Sequence, residues 1–330
     1  MTRAENFKNR CQILGPQKKL STNLRVHSVA PKAARDARVR EKNKGHMSDP
    51  LSLVALGAAI GGAAGKFTEK AWDSGERWLK TYFANHGKKA QLKAKENSLK
   101  FLKELAERVK KLEDDHVVNK REIEHAMDHP EFSVLLQKSI LNSAQTENVG
   151  KRSLLSRLVA ERLKYPSEST YSLASKMASD AIANSTPRQL RILGLLSFLQ
   201  ELRWTGDPLS KNMYQEFLEK MLSPFSKTAD DFNEKDLLHL EALSCITYQR
   251  GSERSLGVLL SMKNGRIEKN GDWEARFDEQ EFNDSELGTW LNYLWNEALA
   301  GVYLTSVGSI IGKFVFDEIT GITTKDAEWS

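Results

Sequence analysis

The stretch Thr186-Pro187-Arg188-Gln189-Leu190 and the residues behind it set the terms for the whole chain. Thr186 and Gln189 have capping-box spacing, and Pro187 stands at N1, where its missing N–H is no loss. The helix they open carries Leu190, Leu193, Leu196, Phe198 and Leu199, so it is apolar nearly all round. A helix of that kind hides every face, so other helices must surround it. With 40% hydrophobic residues the chain can supply them.

Helical periodicity with short breaks runs through the rest. Asp49-Pro50 opens an apolar helix that passes into an amphipathic stretch, Phe67 to Phe83, and Asn85-His86-Gly87 ends it. A charged helix follows, with Leu99, Leu102, Ala106 and Val109 on one face. Asn119 caps a short helix to His129, and Pro130 starts another carrying Phe132, Leu135, Leu136 and Ile140. Further helices are expected around Leu154–Leu163, Tyr171–Ala183, Met213–Leu222, Glu234–Tyr248, Ser285–Ala300 and Thr305–Glu318. Strand signals are confined to Arg266–Arg276, where Asn270-Gly271 suits a tight hairpin turn. With no βαβ alternation, the expected class is an all-α multi-helix bundle with one small β-hairpin near residues 266–276. Three parts are expected: a basic disordered tail (1–46), a glycine-rich apolar and amphipathic helix (47–87) and a helical body (88–330).

The glycine-rich part is the most suggestive of function. Gly57, Gly61 and Gly65 recur every four residues within the apolar run Leu51 to Gly65. On a continuous helix they share one stripe, where a second helix can approach backbone to backbone. Glycine costs about 1 kcal/mol in a helix interior, so three on one face suggest a packing purpose. The fifteen-residue run makes a helix of roughly 22 Å, short of the roughly 30 Å hydrocarbon core. Trp72, Trp78 and Tyr82 could lie at headgroup level, with Lys66 and Lys70 snorkelling. Eight basic residues between Lys66 and Lys95 would then hold the body on the cytoplasmic side. On length alone, a buried helix of a soluble bundle is slightly favoured over partial insertion.

Charge is unevenly spread. Residues 1–46 hold twelve Lys/Arg against Glu5, Asp36 and Glu41, a net of +9, which leaves −4 for residues 47–330 out of +5 overall. A mildly acidic body argues against nucleic acid as a partner, except through the tail. The tail reads as disordered, and Met47-Ser48-Asp49-Pro50 resembles an ordinary protein start, so translation of 1–46 stays open. Cys11 and Cys245 are too few for a disulfide scaffold and fit a reducing compartment.

Chemistry-bearing patterns are sparse. Glu122, His125 and His129 share a helical face, as metal ligands would, but no second ligand-bearing helix matches them. The plainer reading is a solvated helix end, with Asp128 or His129 capping the next helix. Cys245 lies on an apolar run, where buried free cysteine is inert core, and His239 is off its face. No catalytic residue, metal ligand or cofactor site is therefore expected. Gly308 and Gly312 repeat the four-residue spacing near the C-terminus, where core packing is the favoured role and Thr305 a natural N-cap.

Three stretches carry a family likeness: Asp128-His129-Pro130-Glu131-Phe132 with Arg152-Ser153-Leu154-Leu155-Ser156-Arg157-Leu158-Val159, then Ser185-Thr186-Pro187-Arg188-Gln189-Leu190, then Leu304-Thr305-Ser306-Val307-Gly308. Through them the chain resembles an uncharacterised bacterial all-helical family known by locus-tag names, over roughly residues 90–316. The resemblance implies an all-helical bacterial protein without an assigned activity. More loosely, the apolar N-terminal helix and helical body look like abortive-infection alpha-type proteins. The glycine ladder departs from the first family's N-terminus, which leaves the shared body and the added helix as the two candidate seats of function. The expected function is non-enzymatic: a bacterial interaction or effector protein of the cytoplasm or inner-membrane periphery. It would meet a membrane or its own copies through residues 51–83, with Gly57, Gly61, Gly65, Trp72, Trp78 and Tyr82 at the contact. The alternative is a soluble regulatory module for protein or nucleic-acid partners, with the tail as an arm.

Overall fold

A computed structural model of the chain describes residues 57–324, apart from 59, 204–208, 229–232, 250, 252–253, 265, 270–271 and 276. The expected tail (1–46), the Asp49-Pro50 cap, the first half of the apolar run and the Asn270-Gly271 turn lie outside the described residues. Thirteen helices are described here: α1 Gly62–Tyr82, α2 Lys88–Asp114, α3 Lys120–His125, α4 Pro130–Ala144, α5 Val149–Arg162, α6 Thr170–Asn184, α7 Pro187–Gln200, α8 Lys211–Leu222, α9 Glu234–Ala242, α10 Leu256–Lys263, α11 Glu279–Asp284, α12 Glu286–Leu294 and α13 Ser306–Thr320. Strand β1 (Ile246–Tyr248) pairs antiparallel with β4 (Val302–Leu304), and β2 (Arg266–Lys269) with β3 (Asp272–Ala275). The protein is all-α, and the hairpin falls where its sequence pattern puts it.

Local chemistry explains most helix starts. Asn119 accepts from the Glu122 N–H while Glu122 returns the bond to the Asn119 N–H, a complete capping box. Thr186 and Gln189 form a second on α7, and Asn233 with Asp236 a third on α9. The last two are joined, because Gln189 Nε2 donates to Asp236 Oδ1 at 3.0 Å and Arg188 pairs with Asp236 Oδ2 at 2.7 Å. Proline opens α4 and α7 at N1.

Helix α7 is central, as its composition demands: Leu190, Leu193, Leu196, Phe198 and Leu199 are all buried. Its main partner is α13, and glycine brings the two axes together. A Cβ on Gly312 would stand 2.5 Å from the Leu193 carbonyl oxygen, and one on Gly194 would stand 3.3 Å from the Phe316 backbone nitrogen. Gly308 meets the Cys245 carbonyl in the same way. The close approach that a four-residue glycine spacing suggests is thus realised inside the molecule, at its C-terminal end. Helix α6, and more lightly α5, packs on α13, and α1, α2 and α4 pack in turn against one another and against α5 and α6.

Charged side chains stitch these layers. Arg152 Nε meets Glu104 at 2.8 Å, Arg157 meets Asp317 at 2.5 Å and Arg162 meets Glu131 at 3.2 Å, so α5 is tied to α2, α13 and α4. Arg108 binds the Ser153 and Ser156 hydroxyls, and burial beside Arg157 pulls its pKa below the ordinary guanidinium value.

The N-terminal glycine ladder differs from expectation. Gly61 and Gly62 both adopt positive φ, 64° and 63°, so one continuous helix cannot carry the three-glycine stripe. A helical turn ends where the Gly61 N–H bonds the Gly57 carbonyl, and α1 starts afresh behind it. The reversal folds Gly57 onto Gly65, whose missing Cβ leaves room for the Gly57 carbonyl. Glu113 of α2 then accepts from the Ala63 N–H at 2.9 Å, an anion at the positive end of α1.

The helix expected to reach Tyr248 stops at Ala242. Ser244 takes a left-handed φ of 57° just past it, and the Cys245 N–H returns to the Leu240 carbonyl. The chain then runs on as β1. The expected Ser285–Ala300 helix passes from α12 into a π-helical turn over Trp295–Leu299. Helices α10 and α11 carry no counterpart in the expected series.

Candidate functional site

The candidate residues for chemistry take separate places in the fold. Cys245 is fully buried, and burial pushes its thiol up to about 12, so it is not a nucleophile near neutrality. The His239 ring contacts Gln189 Oε1 at 3.2 Å, within the joined capping boxes. His125 Nδ1 lies 3.0 Å from Asp128 Oδ2 at an exposed helix end, and His129 heads α4 without a side-chain cap bond. Among the described residues no group of three or more His, Cys, Asp or Glu is arranged to hold a metal ion. Lys263 is buried at the end of α7, donating to the carbonyls of Phe198 and Leu202, and that burial lowers its pKa to about 7. It acts there as a C-terminal helix cap.

The hairpin of α1 and α2 combines an outward face with an unusual charge pattern. From Arg77 to Lys95 the chain holds six Lys/Arg and no acidic residue. Helix α1 ends at Tyr82, where Phe83 donates back to Leu79, and Gly87 starts α2 in extended backbone. The Gln91 amide reaches back to the carbonyls of Phe83 and His86, at 3.0 and 2.8 Å, and holds the connection. Phe83 is buried, with the rings of Tyr82 and His86 each 5.0 Å away. Tyr82 itself is 49% exposed and Leu92 is 69% exposed.

Between the two helices runs a groove of about 570 Å³. Leu79, Phe83, Ala84, Leu92 and Ala94 give it apolar walls, and Lys80, Lys88 and Lys95 line its rim. A single carboxylate opposes them: Glu76 sits 3.6 Å from both Lys80 and Lys95. Among the described residues, Lys88 and Lys89 form no ion pair. The site is therefore an apolar cleft with surplus positive charge, set beside exposed aromatic and aliphatic side chains.

The six residues expected at an interaction face are dispersed. Gly57 and Gly65 face each other across the reversal, while Gly61 has open space where a Cβ would stand. Trp72 is 5% exposed, buried beneath Lys95, whose Nζ is 5.6 Å from the ring, so it cannot reach a headgroup layer as placed. Trp78 is half-buried, and Tyr82 alone of the six stands out at the hairpin tip. No helix among the described residues is long and apolar enough to cross a membrane. The groove itself escapes sequence reasoning, although the acid-free stretch 77–95 is the signal that could have found it.

The model of an uncharacterised, locus-tag-named family matches residues 65–289, from the first turn of α1 into α12. The hairpin tip lies inside the matched region, whereas Gly57, Gly61 and α13 lie outside it. No curated protein and no solved structure matches the chain.

Proposed function

The chain belongs to this uncharacterised family, and on that premise we propose that it is a non-enzymatic interaction protein that docks on anionic membrane surfaces through the α1–α2 tip. The observation that carries the reading is the acid-free run Arg77–Lys95, with exposed Tyr82 and Leu92 beside its lysines. Each Lys or Arg near an anionic leaflet is worth about 1 kcal/mol, so the six offer useful affinity even though Glu76 pairs with Lys80 and Lys95, and Glu96 and Glu147 pair with Lys93. Tyr82 and Leu92 can enter the headgroup region, as the side chains of interfacial proteins do. The protein would lie on the bilayer rather than span it. A phage-defence role, suggested by the likeness to abortive-infection alpha-type proteins, would place that docking at the bacterial inner membrane.

The test is co-sedimentation of the full chain with phosphatidylglycerol or phosphatidylcholine vesicles. Recovery with the anionic vesicles alone, lost at high salt and in Lys88→Glu/Lys89→Glu, supports the proposal. Equal recovery with both vesicle types, or none with either, overturns it. Salt-sensitive binding to DNA in place of vesicles would favour a nucleic-acid partner instead.

A further inference from the structure

The same tip contains more than a charged surface. Hydrocarbon and anion requirements meet within one cleft, and the two can be separated residue by residue. The walls are Leu79, Phe83, Ala84, Leu92 and Ala94. The carbonyls of Phe83 and His86, the acceptors a peptide would seek here, each already accept one bond from the Gln91 amide. A peptide strand entering here would have to share those partly occupied acceptors, and each N–H left unpaired in an apolar cleft is costly. An acyl chain has no such need. At the rim, Lys80 and Lys95 share one carboxylate, Glu76, and Lys88 has no ion pair among the described residues, which leaves two positive charges uncompensated. The groove's 570 Å³ lies within the usual range for small-molecule sites, about 300–1,000 Å³.

We infer that the α1–α2 groove holds one acyl chain of an anionic amphiphile, with its carboxylate or phosphate head among Lys80, Lys88 and Lys95. The inference rests on the membrane-docking reading and deepens it: the lipid surface supplies the amphiphile, and the groove retains one molecule of it. Leu92, exposed on the groove wall, would contact the chain. Lys88 would contribute most to the head, because Lys80 and Lys95 each share Glu76.

The experiment titrates the full chain with dodecyl phosphate below its aggregation threshold, followed by calorimetry, with dodecyl maltoside and inorganic phosphate as comparison ligands. One dodecyl phosphate per chain is expected, with no measurable binding of inorganic phosphate and much weaker binding of the maltoside. Lys80→Glu/Lys88→Glu should weaken the dodecyl phosphate by at least about tenfold, since both changes reverse a charge beside the head. Ala84→Trp fills the cleft from an exposed position and should abolish binding while leaving the charged tip intact. Its recovery on phosphatidylglycerol vesicles separates the two readings. Retained vesicle docking with lost amphiphile binding supports a retained acyl chain. Unchanged dodecyl phosphate binding in Ala84→Trp, or equal affinity for the maltoside, overturns the groove while leaving the surface reading standing. A parent chain that ignores anionic vesicles yet binds dodecyl phosphate overturns the surface reading alone.

Discussion

Replacing Gly312 by alanine adds a single methyl group, yet the structure expects a large response. In a helix interior that change is favourable by about 1 kcal/mol, because glycine is the poorer helix former. At Gly312 the new Cβ would stand 2.5 Å from the Leu193 carbonyl oxygen, 3.1 Å from the Leu193 carbonyl carbon and 2.9 Å from the Ser197 Cβ. Two of those atoms belong to the α7 backbone, so no rotamer change can relieve them. To reach an ordinary contact, α13 must move away from α7 by most of an ångström along the molecule's main helix–helix seam. Overpacking of this kind costs typically 1–3 kcal/mol, and a backbone obstacle belongs at the upper end. After subtracting the propensity gain, the net destabilisation is about 2 kcal/mol. Gly75→Ala makes the control. Its Cβ would meet Ile140 Cδ1 at 3.0 Å, the flexible end of a side chain, so the propensity gain should survive largely intact. Urea unfolding followed by circular dichroism reads both, as a lower midpoint for Gly312→Ala and an equal or higher one for Gly75→Ala. A Gly312→Ala protein as stable as the parent would refute the claim that glycine sets the α7–α13 distance.

A Cβ on Gly61 would meet nothing within 4 Å, but the residue sits at φ 64° and ψ −174°, a conformation open essentially to glycine alone, so Gly61→Ala should cost about 1–3 kcal/mol through backbone strain. An unchanged melting temperature would contradict the chain reversal there. Asp317 is buried, pairs with Arg157 and accepts from the Thr324 N–H and hydroxyl, so Asp317→Ala should cost about 3–5 kcal/mol by stranding the guanidinium. A loss below about 1 kcal/mol in urea unfolding would show the pair to be solvated. Lys263 has a folded pKa of about 7 against an unfolded value of 10.5, so the unfolded chain binds the extra proton between them. Stability should rise as pH climbs from 7 to 8.5, and Lys263→Met should flatten that slope in melting curves. A parallel slope in the variant would exclude Lys263 as its source.

Sequence legibility follows the range of each signal. The starts of α4 and α7 are written in three or four adjacent residues, the N1 prolines and the Thr186–Gln189 box, and they fall where expected. The strand pair β1–β4 joins Ile246–Tyr248 to Val302–Leu304, two three-residue pieces that mean nothing until the chain between them has folded. The end of α9 depends on Ser244 taking a left-handed conformation with no glycine to announce it. In the N-terminal ladder the four-residue spacing implies a stripe only if the helix is continuous, and the Gly61-Gly62 pair was itself the break signal. Helix α2 reads as a surface helix with one apolar stripe, yet Leu102 is 1% exposed because α1, α4 and α5 all pack on it. The arginines of α5 look like solvated charge in sequence; their burial against Glu104, Asp317 and Glu131 depends on three separate helices. At the tip the charge surplus was legible, whereas the groove depends on the placement of the connection between the two helices, which the Gln91 amide holds by hydrogen bonds to the Phe83 and His86 carbonyls.

The central claim, that the α1–α2 tip is the surface that meets an anionic bilayer, is tested most directly by hydrogen exchange of the full chain with and without phosphatidylglycerol vesicles. The account predicts added protection in peptides covering residues 77–95, with the α7–α13 core unchanged and no effect from phosphatidylcholine. Protection confined to another face of the molecule, with 77–95 exchanging as in free solution, would contradict it.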